Sequence, residues 1–386
     1  MKLIVNLKLK PLESQHADLL QTLERAGDAC NWISEQAFEN KVFKQFNIHK
    51  ITYLSAKDKF SLSAQMVIRA ISKVADSYQI QKHKQTEFRK HGSVAYDSRI
   101  LTFKSGDKVS LWTLNGRQTI PFVCGTHQRK LLPFLKGEVD LIYRTGQFFL
   151  NAVADVPEES PMIPDNVIGV DFGVVNLATT SDGEPFSGKD VETVRLKYTT
   201  QRQVLQRKAS KQSQNGKRPR SIHKLLKRIG RREKNFRQLT NHEISKKLVE
   251  SAKGTNRAIA VENLKGIRTR IEKRFRKSQR AKISGWSFYQ LREFLSYKAK
   301  LNGIQIIAVD PKYTSQTCNN CGHCEKANRK TQAEFECVRC LHKDLADINA
   351  AKNIRGIALV NMRQESESVN LSKVNVITGS KALPNL

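Results

Sequence analysis

Asn166-Val167-Ile168-Gly169-Val170-Asp171-Phe172-Gly173 reads as a buried β-strand that ends in an acid. A carboxylate at the mouth of an apolar strand costs desolvation energy unless it is paired or holds a metal. Moving C-terminally, Val175 to Thr180 reads as a second strand, closed by a turn at Asp182-Gly183, where Asp182 is most simply a turn residue. From Arg195 to Arg237 the chain is basic with Glu233 as its only acid, and two helices are expected there, broken near Asn215-Gly216 and Pro219. A further helix, Glu243 to Ala252, leads into the strand Ala258-Ile259-Ala260-Val261-Glu262, again acid-terminated. A second basic stretch, Arg268 to Lys282, precedes an amphipathic helix from Trp286 to Lys300, then Gly303 and a last strand, Ile304 to Val309. Strands alternating with helices in this way predict an α/β domain.

Five cysteines then crowd into 23 residues. Cys318, Cys321, Cys337 and Cys340 have the C-x2-C-x15-C-x2-C spacing of a zinc ribbon, in which paired turns bring four thiolates around a tetrahedral Zn²⁺. Such a closed site is structural, since it leaves no open coordination position. Cys321 and Cys324 are also separated by two residues, so the first pair has an alternative. Gly322, directly after Cys321, favours Cys318 with Cys321 because glycine readily takes positive φ there. Leu341 occupies the matching position after Cys340, a less comfortable residue for the same turn. His323 and His342 are substitute ligands in principle and are read as bystanders. Seven residues beyond Cys340, Asp347 begins a helix with the apolar face Ile348, Ala351 and Ile354. Asp344 is either an N-cap or an accessory acid, and Asp310 ends its strand at the Pro311 turn.

Toward the N-terminus, Leu3, Val5, Leu7 and Leu9 share one face of an opening strand. Two helices follow, Glu13 to Asn40 and Ala64 to Lys84. After His91-Gly92 come five short alternating segments, Arg99 to Phe103, Val109 to Leu114, Gln118 to Val123, Val139 to Tyr143 and Phe148 to Val153, which predict a small barrel with the helices inserted in it. Pro157, Pro161 and Pro164 read as a linker. Cys30 and Cys124 stand far from the cluster and read as small buried hydrophobes.

The chain has 386 residues, enough for two or three cores, and Lys plus Arg total 67 against 36 for Asp plus Glu, a net charge of +31. So large an excess implies a polyanionic partner, with nucleic acid the first candidate. The 39% hydrophobic content excludes a mostly disordered basic tail. No hydrophobic run reads as a signal peptide or membrane span, so a cytoplasmic protein without membrane partners is expected, with reduced thiols. Lys224, Lys227, Arg228, Arg231 and Arg232, and then Arg270, Arg274 and Arg276, recur densely enough to point to phosphate neutralisation. Leu264 to Gly285, lying just after an acid-tipped strand, reads as a mobile lid. Asp171, Glu262 and Asp347, if they converge, form a site for hard divalent cations, two Mg²⁺ ions supporting in-line phosphodiester hydrolysis.

With these residues in hand, the chain resembles the transposon-encoded TnpB proteins, compact relatives of type V CRISPR effector nucleases. The matching text is Ile168-Gly169-Val170-Asp171-Phe172-Gly173, Val261-Glu262-Asn263-Leu264, and Tyr313-Thr314-Ser315-Gln316-Thr317-Cys318 through the ribbon to Ala346-Asp347-Ile348-Asn349-Ala350-Ala351-Lys352-Asn353-Ile354. The resemblance implies a RuvC-like nuclease domain of RNase H fold (164–311 and 342–356) with an inserted zinc ribbon (312–341). Before it would stand a β-barrel wedge domain (1–10 and 94–163) containing a helical recognition domain (11–93), and a C-terminal tail (357–386) would close the chain. It implies Asp171, Glu262 and Asp347 as catalytic, Mg²⁺-binding residues and Cys318, Cys321, Cys337 and Cys340 as ligands of one structural Zn²⁺. It further implies a guide RNA derived from the transposon end, a transposon-adjacent motif in double-stranded DNA, an RNA-DNA heteroduplex, and a prokaryotic, nucleoid-associated location. Two other functions fit the same residues less well: a catalytically silent guided repressor, and a transposase or resolvase acting without RNA.

Overall fold

The structure is a computed structural model that describes residues 1–214, 216, 219–264 and 287–378. The chain divides into two compact units, Met1–Pro157 and Glu158–Leu386.

In the first unit β1 (Lys2–Leu9) is followed by three helices, α1 (Glu13–Glu39), α2 (Gln45–Phe60) and α3 (Ala64–Ile80). Six strands come next: β2 (Val94–Tyr96), β3 (Leu101–Lys104), β4 (Lys108–Thr113), β5 (Gly116–Val123), β6 (Leu135–Arg144) and β7 (Gln147–Asp155), with the short α4 (Thr126–Leu131) after β5. They form one sheet in the order β2-β6-β7-β1-β5-β4-β3, so the opening strand lies at its centre. The sheet curls: the Tyr96 hydroxyl, at the end of edge strand β2, donates to Trp112 O on β4 (3.0 Å). Val5, Leu7 and Leu9 on alternate positions of β1 are buried in one core with Leu19, Leu23, Ile33, Ile71 and Val74 of the helices. Cys30 is buried there too, and burial pushes its thiol up to about 11, as befits a packing residue. Helix α2 is absent from the sequence expectation. Its buried residues Ile48, Thr52, Ala56 and Phe60 are offset by exposed Phe46, Ile51 and Leu54, so no single apolar stripe marks it.

The second unit opens not with a free linker but with an attached segment. Met162 N donates to Gly303 O (2.8 Å) and Asn256 Nδ2 to Ile163 O (3.2 Å), so the proline-rich stretch is bound along this unit. Its sheet contains β8 (Asn166–Asp171), β9 (Asn176–Thr180), β10 (Pro185–Ser187), β11 (Arg257–Glu262) and β12 (Ile306–Val309) in the order β10-β9-β8-β11-β12. β8, β11 and β12 run parallel, while β9 and β10 are antiparallel additions. The period of two sorts the strand residues. Ile168, Val170, Ile259 and Val261 pack on α6 (Arg220–Gly254) and α7 (Phe288–Leu301), whereas Val167, Ala258 and Ala260 pack on Ile354 and Ala358 of α8 (Ala346–Thr378). Both faces are covered, which is why these strands read as unbroken apolar runs.

Helix α5 (Lys189–Gln214) pairs with α6, and α5 ends at Gln214 while α6 begins at Arg220, two helices as expected. Buried Glu233 of α6 holds Arg202 of α5 in an ion pair. The expected separate helix at Glu243 to Ala252 is the second half of α6. The helix continues through Asn241 because its buried Nδ2 donates to Ser287 Oγ (2.8 Å) and Gln290 Oε1 (3.0 Å), bonds that no local pattern encodes. From residue 265 on, the segment expected to act as a lid lies outside the described residues, as do Arg270, Arg274 and Arg276. Among the described residues no helix is long and apolar enough to cross a membrane.

Candidate active site and metal centre

β8 and β11 are parallel neighbours in which Val170 stands opposite Val261, so Asp171 and Glu262, each one residue further, sit side by side at the carboxyl ends of the strands. Asp347 lies in the first turn of α8, which packs across β8. A side chain at Gly173, just past the end of β8, would come to 4.0 Å from Asp347 Oδ2 and 2.7 Å from Asn176 O, so the tight turn after β8 brings this carboxylate beside the strand end. All three acids are partly buried. Burial, followed by the charges of Glu262 and Asp347, pushes the Asp171 carboxyl up to about 8, against the opposing pull of Arg329. Burial also raises Glu262, opposed by its bond from Thr314. A buried Asp171 carboxylate beside two further acids is a poor arrangement without a cation and a good one with it.

Neutral groups hold two of the carboxylates. Asn176 Nδ2 donates to Asp347 Oδ2 (2.9 Å), and the hydroxyl of buried Thr314 donates to Glu262 Oε1 (2.7 Å). Neither role was visible in the sequence, because each joins residues far apart along the chain. A second set of amides ties the chain before the cysteines to α8. Asn353 Nδ2 donates to Thr314 O (2.8 Å) and Thr317 O (2.7 Å), Asn349 Nδ2 to Thr317 O (2.8 Å), and Asn349 Oδ1 accepts from Asn319 N (3.0 Å) and Nδ2 (2.7 Å). The one available signal was the spacing of Asn349 and Asn353, which puts both on one helix face.

The other acids fall elsewhere. Asp182 is ion-paired with Arg257 (2.7 Å), Asp310 accepts the Lys312 amide (3.1 Å), and Asp344 lies in β14 (Lys343–Leu345), where Lys352 holds it (2.7 Å). Asp344 is therefore no helix cap.

The Sγ atoms of Cys318, Cys321, Cys337 and Cys340 all lie within 4.8 Å of one another, the one group of three or more metal-type ligands so gathered among the described residues. Cys318 to Cys340 is 3.7 Å and Cys321 to Cys337 is 3.6 Å. Thiolates about 2.3 Å from a tetrahedral ion stand about 3.8 Å apart, so the donor set fits zinc. Two matching turns present them. Gly322 N donates to Cys318 O and Cys318 N to His323 O, while Leu341 N donates to Cys337 O and Cys337 N to His342 O, all at 2.9 Å. The φ values are +74° at Gly322 and +58° at Leu341. The His342 amide lowers the Cys340 thiol to about 6, so one ligand ionises readily. Cys324 stays outside the cluster, bridged to Thr317, and both histidines contribute backbone carbonyls. β13 (Glu334–Glu336) pairs with β14 and completes the ribbon.

Lys224, Lys227, Arg228, Arg231 and Arg232 are all exposed on the first half of α6.

Parts of the chain match known proteins. Residues 151–268 match the family described as "Probable transposase", and residues 288–354 match "Cas12f1-like, TNB domain". The CRISPR-associated endodeoxyribonuclease Cas12f1 of Syntrophomonas palmitatica is 34% identical over 190 residues, 47% of this chain and 37% of that protein. The putative RNA-guided DNA endonuclease InsQ of Escherichia coli K12 is 30% identical over 218 residues, 54% of this chain and 53% of that one. A TnpB-like protein of Methanocaldococcus jannaschii is 26% identical over 62% of this chain and 87% of its own length. The chain thus spans only about a third to a half of the first two relatives. Among solved structures, the mini-RNA-guided endonuclease CRISPR-Cas_phi3 matches with a TM-score of 0.52 at 10% identity, over 93% of this chain and 92% of that one, a likeness of fold. The molecule is a multidomain α/β protein with a barrel-like sheet and a zinc-ribbon-like module, similar in sequence to TnpB-like and Cas12f1 proteins, as its motifs led us to expect.

Proposed function

We propose that the protein is an RNA-guided DNA endonuclease that cleaves both strands of double-stranded DNA at one metal-dependent site. The observation that carries this reading is the placement of Asp171 and Glu262 on adjacent parallel strand ends beside Asp347, with Asp171 pushed up to about 8 by burial and by the other two. In this reading 164–311 and 342–356 form a RuvC-like nuclease domain of RNase H fold, and the mixed sheet order β10-β9-β8-β11-β12 supports that assignment. The first unit, which ends at Pro157, would supply the recognition domain (11–93) and the wedge expected to run to 163. The β13–β14 hairpin extends the ribbon expected at 312–341 to Leu345, and buried Ala358 of α8 moves the tail expected from 357 beyond it.

Asp171, Glu262 and Asp347 would hold Mg²⁺, and Cys318, Cys321, Cys337 and Cys340 one structural Zn²⁺. When bound, two Mg²⁺ ions supply an activated water and stabilise the departing 3′ oxygen. The chain's own contribution is to fix the oxygens that receive the ions, through Thr314 and Asn176, and to carry the phosphates on exposed α6 cations. Those cations position a duplex without reading it, so sequence choice falls to pairing between a guide RNA and the target strand, with a transposon-adjacent motif read in the duplex.

The test is to purify the protein with its RNA, sequence that RNA, and challenge a matched supercoiled plasmid with Mg²⁺ present, alongside Asp171→Ala. Linear product from the wild type alone is expected. Equal cutting by both proteins would remove the acids from the mechanism. Stable binding without cutting would instead indicate a guided repressor, and a preparation with no discrete RNA a transposase or resolvase.

A further inference from the structure

Glu262 meets the chain that enters the cysteine ribbon through one hydroxyl. Thr314 is 3% exposed, and its Oγ1 lies 2.7 Å from Glu262 Oε1 and 3.1 Å from Pro311 O. A hydroxyl has one proton, and the shorter bond, to the carboxylate, takes it. The carbonyl of the same residue is gripped by Asn353 of α8, the helix that carries Asp347. Asn349, fully buried one turn earlier, grips Thr317 O and receives both nitrogens of Asn319, on either side of Cys318. One short run, 314–319, therefore touches a strand-end acid, the helix of a second acid and a thiolate of the cluster.

We propose that Thr314 is a positioning residue for Glu262, one that commits Oε1 and leaves the carboxylate to offer a bound cation a single oxygen, Oε2. The proposal rests on the metal-site reading above. Its chemical consequence is selectivity. Mg²⁺ and Mn²⁺ accept single-oxygen carboxylate donors in octahedral sites, whereas Ca²⁺ tolerates a carboxylate that closes on it with both oxygens. Asn353 holds Thr314 by its carbonyl and Asn349 holds Thr317 and Asn319 beyond it, so the same bond registers the ribbon against the acids. Groups of this kind, one bond behind a metal ligand, alter metal affinity by about 10- to 100-fold when removed.

The experiment uses the full chain and Mn²⁺ as the probe, with free Mn²⁺ followed by electron paramagnetic resonance in wild type, Thr314→Val, Thr314→Ser and Asp171→Ala. Zinc content and thermal unfolding are measured on each. Thr314→Val should weaken Mn²⁺ binding about 10-fold or more and lessen the preference for Mn²⁺ over competing Ca²⁺. Thr314→Ser, which keeps the hydroxyl, should stay within about threefold of wild type. Zinc content should not change in either. Wild-type Mn²⁺ affinity in Thr314→Val would overturn the proposal, as would equal losses in the Ser and Val variants, or zinc loss that accounts for the effect. If Asp171→Ala binds Mn²⁺ as well as wild type, or wild type binds none, the metal-site reading itself fails. If Asp171→Ala loses binding and Thr314→Val does not, only the role of Thr314 is lost.

Discussion

Leu341 holds φ at +58° in the second cysteine turn, where the first turn has Gly322 at +74°. For an L-residue that conformation costs about 1–2 kcal/mol, and Leu341, 70% exposed, recovers little of it through packing. Leu341→Gly should therefore strengthen the ribbon by about 0.5–1 kcal/mol, and Gly322→Ala should weaken it by a similar amount. Zinc release to a chromogenic chelator and thermal unfolding both read this, and faster release from Leu341→Gly would show that the left-handed turn carries no strain. Single residues of this sort were legible in the sequence, since positive φ has a residue signature and metal ligands have a spacing. Thr314 was not, although it stood in a recognised motif. A bond from residue 314 to residue 262 depends on where two distant segments finish, and nothing adjacent to either residue encodes it.

Among the elements, α8 lies in close contact with β8. A β-carbon at Gly169 would stand 2.0 Å from Ala351 O and 2.7 Å from Arg355 N, so the helix backbone rests directly on the strand. Both obstructing atoms are backbone and cannot swing aside. Gly169→Ala should displace α8, cost about 3 kcal/mol or more, and carry Asp347 away from Asp171. Chemical denaturation measures the first effect and divalent-metal affinity the second, and a variant as stable as wild type would mean that the helix sits less closely. Elements with one clean period were legible: β1, α1, α3, β8, β11 and the first turn of α8. α2 was missed because its apolar residues lie on both sides, and β2 and β10, three residues each, are too short to show any period. The α5–α6 break was legible from Gly and Pro, but the continuity of α6 through Asn241 depends on partners in α7 and just before it.

At the level of the whole chain, a charge of +31 announced a polyanion before any motif did. The structure distributes part of that charge along the exposed first half of α6, whose second half is fixed beneath the sheet. Replacing Lys227 and Arg231 with alanine should weaken duplex binding equally for unrelated sequences. It should also make the slope of log K against log salt shallower by about 0.9 for each phosphate no longer neutralised. Fluorescence anisotropy at several salt concentrations gives that slope, and an unchanged value would remove α6 from the interface. Composition carried the class of partner proposed above, and motif order carried the similarity to other proteins. The mixed sheet order was not legible, because strand adjacency is a property of the finished fold.

The seating of α8 on Gly169 has a temporal side. During synthesis, Asp171 and Glu262 leave the ribosome well before Asn353 does, and until then one wall of the proposed centre is missing. A growing polypeptide would thus already carry most of its cationic charge while the proposed centre is still incomplete. The proposed activity would wait for the step in which α8 closes over β8.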